Sequence, residues 1–309
     1  MENYSVYEDI ASRTNGDIYI GVVGPVRTGK STFIKRFMEE LVIPSAEDST
    51  RAVMTDELPQ SAAGRTVMTT EPKFVPAQAA KISIREGAEA SVRLVDCVGF
   101  AVEGAGGFEE DGSPRLIKTP WSDQAMPFEK AAKLGTEKVI REHSTIGILM
   151  TTDGSITDIP RSAYVAAEEH AAAQLKEIGK PFVILLNCRQ PETQETLRAS
   201  LEDKYAVPVL AVNAEQLTEQ EILEIMQKVL FEFPVTGIDI KLPKWIQSLP
   251  ESSKTVSAVL SKLKKAAPAL VKMKDCLTLE NLFGEDDKFI NPDNIAMELG
   301  KGKAELRID

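Results

Sequence analysis

Eight consecutive residues, 24–31, have the types and the spacing needed to bind phosphate. They read G-x-x-x-x-G-K-S, a pattern whose backbone N–H groups cradle phosphate oxygens. Lys30 can reach the β- and γ-phosphates, and the Ser31 hydroxyl can bind Mg²⁺. The segment therefore predicts a nucleotide site formed by Gly24, Pro25, Val26, Arg27, Thr28, Gly29, Lys30, Ser31 and Thr32.

The residues on either side of this loop have the patterns that it needs. An apolar run at 18–23 predicts a buried strand, and residues 32–41 carry apolar side chains at helical spacing, including Phe33, Ile34 and Phe37. This order of strand, glycine-containing turn and helix start places backbone N–H groups where they can donate hydrogen bonds to an anion. The context favours a functional phosphate loop over a chance match.

Asp96 begins a second motif, D-x-x-G, at the end of another apolar strand and about 65 residues after the loop. A carboxylate in this position can hold Mg²⁺ through water, and the Gly99 N–H can sense the γ-phosphate. Between the two motifs, Thr69 and Thr70 are candidates for a threonine that contacts Mg²⁺ and the γ-phosphate. A second interpretation stays open, since both threonines also suit an extended segment before Pro72.

Two positions depart from the pattern of regulatory GTPases. Phe100 follows Gly99, where many of those enzymes keep a glutamine that orients water, so another group has to assist catalysis. The guanine-reading motif N-K-x-D is expected after residue 186, but the chain continues from Asn187 through Cys188 and Arg189 to Gln190. Without the lysine and the carboxylate, the preference for guanine weakens and ATP becomes a candidate substrate. A base contact from elsewhere in the chain remains the alternative.

Strand and helix patterns alternate from about residue 17 to 233. This alternation predicts an α/β fold with a mostly parallel sheet and helices on both faces, as in P-loop NTPases. A last helix is predicted at 218–231, with Thr218 and Glu221 forming a capping box. The character changes near Pro234, so we predict a nucleotide-binding domain at 1–235 and a linker with an incomplete second domain at 236–309.

Composition restricts the classes of partner. The chain has 36 basic and 47 acidic residues, and a net charge of −11 argues against nucleic acid. We expect neither a membrane span nor a secretory signal, and three scattered cysteines suit a reduced cytoplasm.

Three segments have open interpretations. Residues 151–158 line either the nucleotide site or a subunit contact, or they form a capped turn. Residues 252–274 hold six lysines and no acid, which fits anionic lipid, an acidic partner or a solvated helix. Residues 302–309 resemble the opening of a strand with nothing left to pair with, from which we expect the chain to be a fragment.

Several long strings resemble the stage IV sporulation protein A family. They are residues 17–35, 56–64, 69–76, 93–99 and 142–147. The resemblance covers nearly the whole chain and implies a GTPase-like (TRAFAC-type) fold that has turned to ATP. It also implies that Lys30, Ser31 and Asp96 bind phosphate and Mg²⁺ and that Thr69 and Thr70 are needed for hydrolysis.

The same resemblance implies partners and a location. Members of the family assemble on ATP hydrolysis into a polymer, the basement layer of the spore coat, in the mother cell at the forespore surface. Other spore-coat proteins and the small amphipathic membrane peptide stage V sporulation protein M are further expected partners. The region that docks on that peptide lies beyond this chain. Two alternatives stay open: a GTPase of the ribosome-assembly or septin kind, and a nucleotide-binding scaffold without turnover.

Overall fold

The computed structural model describes residues 4–46, 48–59, 72–85, 88–106, 109–110, 113–119, 122–250, 252–283 and 295–307. The α-helices are α1 Tyr4–Arg13, α2 Lys30–Phe37, α3 Ile43–Ser45, α4 Asp48–Asp56, α5 Phe128–His143, α6 Arg161–Ile178, α7 Glu195–Tyr205, α8 Glu219–Phe231, α9 Lys244–Gln247 and α10 Lys254–Ala266. A π-helical segment, Met38–Val42, extends α2, and 3-10 turns occupy Pro191–Thr193, Ala267–Ala269, Met273–Asn281 and Leu299–Lys301.

The strands are β1 Asp17–Val23, β2 Lys73–Arg85, β3 Ala88–Asp96, β4 Glu109–Glu110, β5 Ser113–Pro114, β6 Leu116–Thr119, β7 Ser122–Pro127, β8 Ile146–Thr152, β9 Phe182–Asn187, β10 Val209–Val212, β11 Gly237–Lys241, β12 Ile295–Glu298 and β13 Lys303–Arg307. Six of them form the main sheet in the order β10-β9-β8-β1-β3-β2. All neighbours in it run parallel except β2, which is antiparallel to β3. The predicted mostly parallel sheet of a P-loop fold is confirmed.

Helices cover both faces of this sheet, as the alternation of elements predicted. One apolar cluster joins α2 and α8 to side chains such as Ile20 and Ile148, and a second joins α5, α6 and α7 to side chains such as Val23 and Leu149. Because side chains alternate across a strand, neighbouring residues of β1 serve opposite cores. The strands therefore read as continuous apolar runs, which is the pattern of a sheet buried on both sides.

Five of the α-helices, α1, α3, α4, α7 and α9, were not predicted from the sequence. Helices α3 and α4 lie between residues 41 and 69, where we predicted no helix, and α1, α7 and α9 were not recognised at all. In α7 only Leu201 and Tyr205 are buried, so its apolar periodicity is weak. Helix α1 contributes Ile10 to the main core. Tertiary packing, rather than local pattern, stabilises both of these helices.

The last residues are paired, which corrects the expectation of a strand without a partner. Strand β13 is the middle strand of a small sheet, parallel to β11 and antiparallel to β12. Its Ala304 and Leu306 pack in an apolar cluster with Val259 of α10 and with Cys276. The pairing links segments some sixty residues apart in the sequence, and such contacts leave no local signal. Within the described residues, no helix is long and apolar enough to cross a membrane.

A buried carboxylate joins this smaller sheet region to the main domain. Glu232, just after α8, is 2% exposed, and its carboxylate oxygens lie 2.5 Å from Lys272 Nζ and 2.7 Å from Lys274 Nζ. The second contact is an ion pair without the direction of a good hydrogen bond. Lys274 also donates to the Ala206 carbonyl, and the Met273 N–H donates to the Phe233 carbonyl.

We expect Glu232→Ala to lower the free energy of unfolding by about 1–3 kcal/mol, because two ammonium groups at the junction lose their buried partner. The measurement is urea unfolding followed by circular dichroism. Glu298→Ala is the matched control, since Glu298 pairs with Lys301 at the surface and its loss should leave stability nearly unchanged. Equal effects of the two substitutions would contradict the role assigned to Glu232.

Candidate functional site

The phosphate loop passes very close to the neighbouring strand. Gly24 has φ +134°, and a Cβ built there would lie 2.1 Å from the Met150 carbonyl oxygen of β8. Gly29 has φ +90°, and its Cβ would lie 2.2 Å from Nδ2 of Asn187. Both positions therefore require glycine for conformation and for space. The two glycines of the motif fit the loop against the ends of β8 and β9.

Hydrogen bonds fix the backbone between these glycines. The Thr28 hydroxyl donates to the Pro25 carbonyl at 2.9 Å. The Val26 N–H donates to the Phe100 carbonyl at 2.9 Å, and the Phe100 N–H donates to the Gly24 carbonyl at 3.1 Å. The loop is thereby paired with the segment that follows Asp96. The two motifs recognised in the sequence form one structural unit.

Lys30, at the start of α2, is 7% exposed, and its Nζ donates to the Pro25 carbonyl at 2.7 Å. Burial lowers the pKa of Lys30 to about 8, against the opposing effect of the Asp96 carboxylate. A buried ammonium that is satisfied only by carbonyl groups gains much from an anionic ligand. This environment suits a lysine that binds phosphate.

Ser31 and Asp96 lie together, as the Mg²⁺ prediction requires. The Ser31 hydroxyl donates to Asp96 Oδ2 at 2.6 Å. Burial raises the pKa of Asp96, while the Ser31 hydrogen bond and the charges of Lys30 and Lys73 oppose the shift. A hydroxyl and a carboxylate are hard oxygen ligands, and Mg²⁺ commonly takes one or two of them with phosphate oxygens and water. Both residues would hold Mg²⁺; across the described ranges, no cluster of three metal-ligating side chains exists.

Gly99 brings the second motif against the loop. A Cβ at this position would lie 2.6 Å from Lys30 Nζ and 2.6 Å from the Val26 nitrogen. Phe100 is 5% exposed and packs edge-on against His170, with ring centroids 5.2 Å apart. Its side chain belongs to the core under α6, so it is a packing residue and offers nothing to orient water. Thr69 and Thr70 lie outside the described residues.

Asn187 connects the phosphate loop to the neighbouring loops through both atoms of its amide. Its Nδ2 donates to the Thr28 carbonyl at 3.0 Å, and its Oδ1 accepts from the Ala214 N–H at 3.0 Å. These bonds position the phosphate loop, and the contact of Asn187 with nucleotide that the sequence suggested stays a prediction. Cys188 stands where a lysine would stack on guanine, and its thiol is buried against the Val212 carbonyl. Arg189 and Gln190 follow it and are exposed.

Residues 153–158 form a capped turn, which is one of the interpretations that the sequence left open for residues 151–158. Asp153 Oδ1 accepts from the Ser155 N–H at 2.9 Å and from the Ser155 hydroxyl at 2.7 Å. The Ser155 oxygen in turn accepts from the Arg189 N–H, and Asn213 Nδ2 donates to the Arg189 carbonyl. Ser155 lies in the segment 151–158 that the sequence singled out, whereas Asn213 and Ala214 were not recognised. Their positions just after parallel strands were the available signal, because such strand ends meet at one edge of the sheet.

Asn187→Ala should lower the free energy of unfolding by about 1–3 kcal/mol, because it leaves the buried Thr28 carbonyl and Ala214 N–H without partners. Nucleotide affinity should also fall by about tenfold, since the loosened loop has to be ordered again on binding. Thermal unfolding and titration calorimetry measure the two effects. The control is Asn213→Ala, which removes an exposed amide of the same chemistry and should change both quantities little. Unchanged affinity in Asn187→Ala would show that the loop does not need this support.

The sequence of this chain is similar to those of known sporulation proteins. A family model described as stage IV sporulation protein A, ATPase domain, matches residues 1–234. Stage IV sporulation protein A of Clostridioides difficile (strain 630) is 50% identical over 303 residues, covering 97% of this chain and 62% of the relative. The protein of that name from Bacillus subtilis (strain 168) is 47% identical over 310 aligned residues, covering 99% and 63%. The chain thus spans less than two thirds of the length of these relatives.

Solved structures match more distantly. A mutation variant of SsGBP matches with a TM-score of 0.38 and 16% identity over 71% of this chain and 56% of that chain. The cytosolic domain of the T. maritima FeoB iron transporter matches with a TM-score of 0.33 and 13% identity over 87% and 82%. The family model and the two sporulation relatives identify the chain. It belongs to the stage IV sporulation protein A family, and residues 1–234 match the ATPase domain of that family.

Proposed function

We propose that this protein is a Mg²⁺-dependent ATPase whose turnover drives its own assembly into the basement layer of the spore coat. The observation that carries the enzymatic part is the convergence of Lys30, Ser31 and Asp96 on one phosphate loop. Support for ATP over GTP comes from the base-reading segment, where Cys188 is buried and Gln190 replaces a carboxylate. The neutral amide of Gln190 cannot accept the pair of charge-assisted hydrogen bonds that guanine donates to an aspartate carboxylate.

Hydrolysis would proceed by in-line attack of a water oxygen on the γ-phosphorus. The bond from that phosphorus to the β–γ bridging oxygen breaks, its electron pair stays on the ADP, and the water proton leaves with inorganic phosphate. Lys30 and the loop N–H groups stabilise the charge that develops on the phosphate oxygens. Bound Mg²⁺, held by Ser31 and Asp96, would neutralise β- and γ-phosphate charge.

The assembly part of the proposal is supported by membership of the sporulation family. The expected partners are further copies of the chain, other spore-coat proteins and stage V sporulation protein M, and the expected place is the mother-cell cytoplasm at the forespore surface. Because the chain spans 62–63% of the length of its relatives, these partners belong to the proposal for the whole protein.

Phosphate release with Mg²⁺ and either ATP or GTP tests the enzymatic part. We expect ATP to be turned over well above GTP, and we expect Lys30→Ala to lose nucleotide binding and turnover together, because the buried cation for the phosphates is gone. Preference for GTP would contradict the ATPase proposal and support the alternative of a GTPase of the ribosome-assembly or septin kind. Absence of turnover with nucleotide retained in the purified protein would favour a structural scaffold.

Thr70→Ala tests one of the two threonines, Thr69 and Thr70, that the family resemblance implies for hydrolysis. We expect ATP affinity within about threefold of wild type and a kcat lower by about tenfold or more, because the γ-phosphate contact matters most in the transition state. Calorimetry with a non-hydrolysable ATP analogue and phosphate release give the two numbers. Normal turnover in this variant would remove Thr70 from the catalytic set.

Sedimentation after incubation with ATP tests assembly. Wild-type protein should move into the pellet with ATP and remain in the supernatant with the non-hydrolysable analogue, whereas Lys30→Ala should remain in the supernatant with both. Equal pelleting with both nucleotides would separate assembly from hydrolysis.

A further inference from the structure

The site contains Lys30, but the usual group that assists the attacking water is missing from it. Phe100 occupies that position, and its ring is buried against His170. GTPases and ATPases of this fold often add an arginine that stabilises transition-state charge, either from the same chain or from a partner. The phosphate loop itself contains two cationic side chains, Lys30 and Arg27.

Arg27 has an unfavourable backbone conformation for its residue type. Its φ is +61°, in the left-handed region that glycine adopts without cost and that other residues seldom occupy. Strain of this kind persists where the surroundings fix it, and it concentrates at functional sites. A glycine would fit position 27 with less strain. The side chain at this position is therefore retained against a backbone preference.

Contacts on both sides of Arg27 enforce this conformation. Before it, the Val26 N–H is bonded to the Phe100 carbonyl; after it, the Thr28 hydroxyl and the Thr28 carbonyl are bonded to Pro25 and Asn187. The backbone of residue 27 thus has a fixed direction on the rim of the phosphate loop. The Arg27 side chain itself is half-buried and extends from this fixed backbone.

The surroundings of the guanidinium indicate where it lies without nucleotide. Burial raises the pKa of the Tyr164 hydroxyl on α6, and the positive charge of Arg27 opposes this shift. The same hydroxyl lies 2.9 Å from the Thr157 Oγ1 in the turn after β8. The charge of Arg27 is thus felt at the Tyr164 hydroxyl, which is bonded to the turn after β8.

We infer that Arg27 is the catalytic arginine of this ATPase, supplied by the same chain, and that its guanidinium moves onto the γ-phosphate oxygens in the transition state. The inference rests on the proposed ATPase function. As the bond to the bridging oxygen breaks, charge grows on that oxygen and remains spread over the γ-phosphate oxygens. A planar guanidinium can donate to two of these oxygens at once, which a lysine ammonium cannot do.

Arg27→Gly is the most informative variant, because it removes the guanidinium and relieves the backbone at the same time. We expect its melting temperature to be unchanged or higher and its affinity for ADP to be retained. We expect kcat for ATP to fall by about a hundredfold or more. Aluminium fluoride should trap Mg²⁺–ADP on the wild-type protein but not on Arg27→Gly, and added guanidinium chloride should restore part of the lost turnover.

Two further variants serve as controls. Asn15→Gly makes the same backbone change at an exposed residue with φ +55°, far from the loop, and should leave kcat unchanged. Arg27→Lys keeps the charge without the planar group and should recover only part of the rate. Lys30→Ala defines the level of complete loss.

Each outcome decides between alternatives. A kcat in Arg27→Gly within about threefold of wild type, or continued trapping of ADP with aluminium fluoride, overturns the inference. Loss of ADP affinity or of thermal stability in parallel with kcat also overturns it, because Arg27 would then hold the loop or the ground state. Failure of wild-type protein to turn over ATP removes the proposed function first, and the role of Arg27 with it.

Discussion

Everything at this site depends on the close packing of one loop against the carboxyl ends of three parallel strands. Gly24 lies against β8, Gly29 lies against Asn187 at the end of β9, and Phe100 after β3 bonds to the loop backbone. The loop contains the N–H groups that phosphate needs, and a free loop of this kind would be costly to order. Contacts with the rigid sheet supply that order before any ligand arrives.

Three buried carboxylates of this protein differ in how far neighbouring side chains compensate their negative charge. Glu168 is bonded to Arg161, Thr151 and the Tyr205 hydroxyl, and Glu232 has two lysines. The charges of Glu168 and Glu232 are therefore neutralised by side chains of the protein itself. Asp96 has a hydroxyl donor from Ser31 and longer-range help from Lys30 and Lys73, and burial raises its pKa. Asp96 is the one of these three carboxylates without a direct ion pair in the described part of the chain, so a bound cation would complete its charge balance.

Much of the fold and of the phosphate site could be predicted from the sequence, because the sequence patterns that specify them are local. The loop glycines, Lys30, Asp96 and the capping box of α8 at Thr218 all depend on neighbours within a few residues. What the sequence left out is non-local: the pairing of β13 with β11, and the use of both Asn187 amide atoms inside the protein. An asparagine looks the same in a motif whether its amide binds a base or a carbonyl. Helix α7 was missed because it buries too few side chains to leave a pattern.

The buried junction at Glu232 lies among residues that precede the strands: Arg13 before β1 donates to the Pro234 carbonyl, and Ala206 before β10 accepts from Lys274. The phosphate loop follows β1 at the other edge. A strand of seven residues is about 20 Å long, so the small sheet and the nucleotide are separated by the thickness of the domain. Among the described residues, the loop backbone bonds to Phe100 and Asn187, which belong to the main domain. Strand β1, which leads from the Arg13 end of the domain to the phosphate loop, is therefore one rigid connection between the nucleotide site and the junction at Glu232.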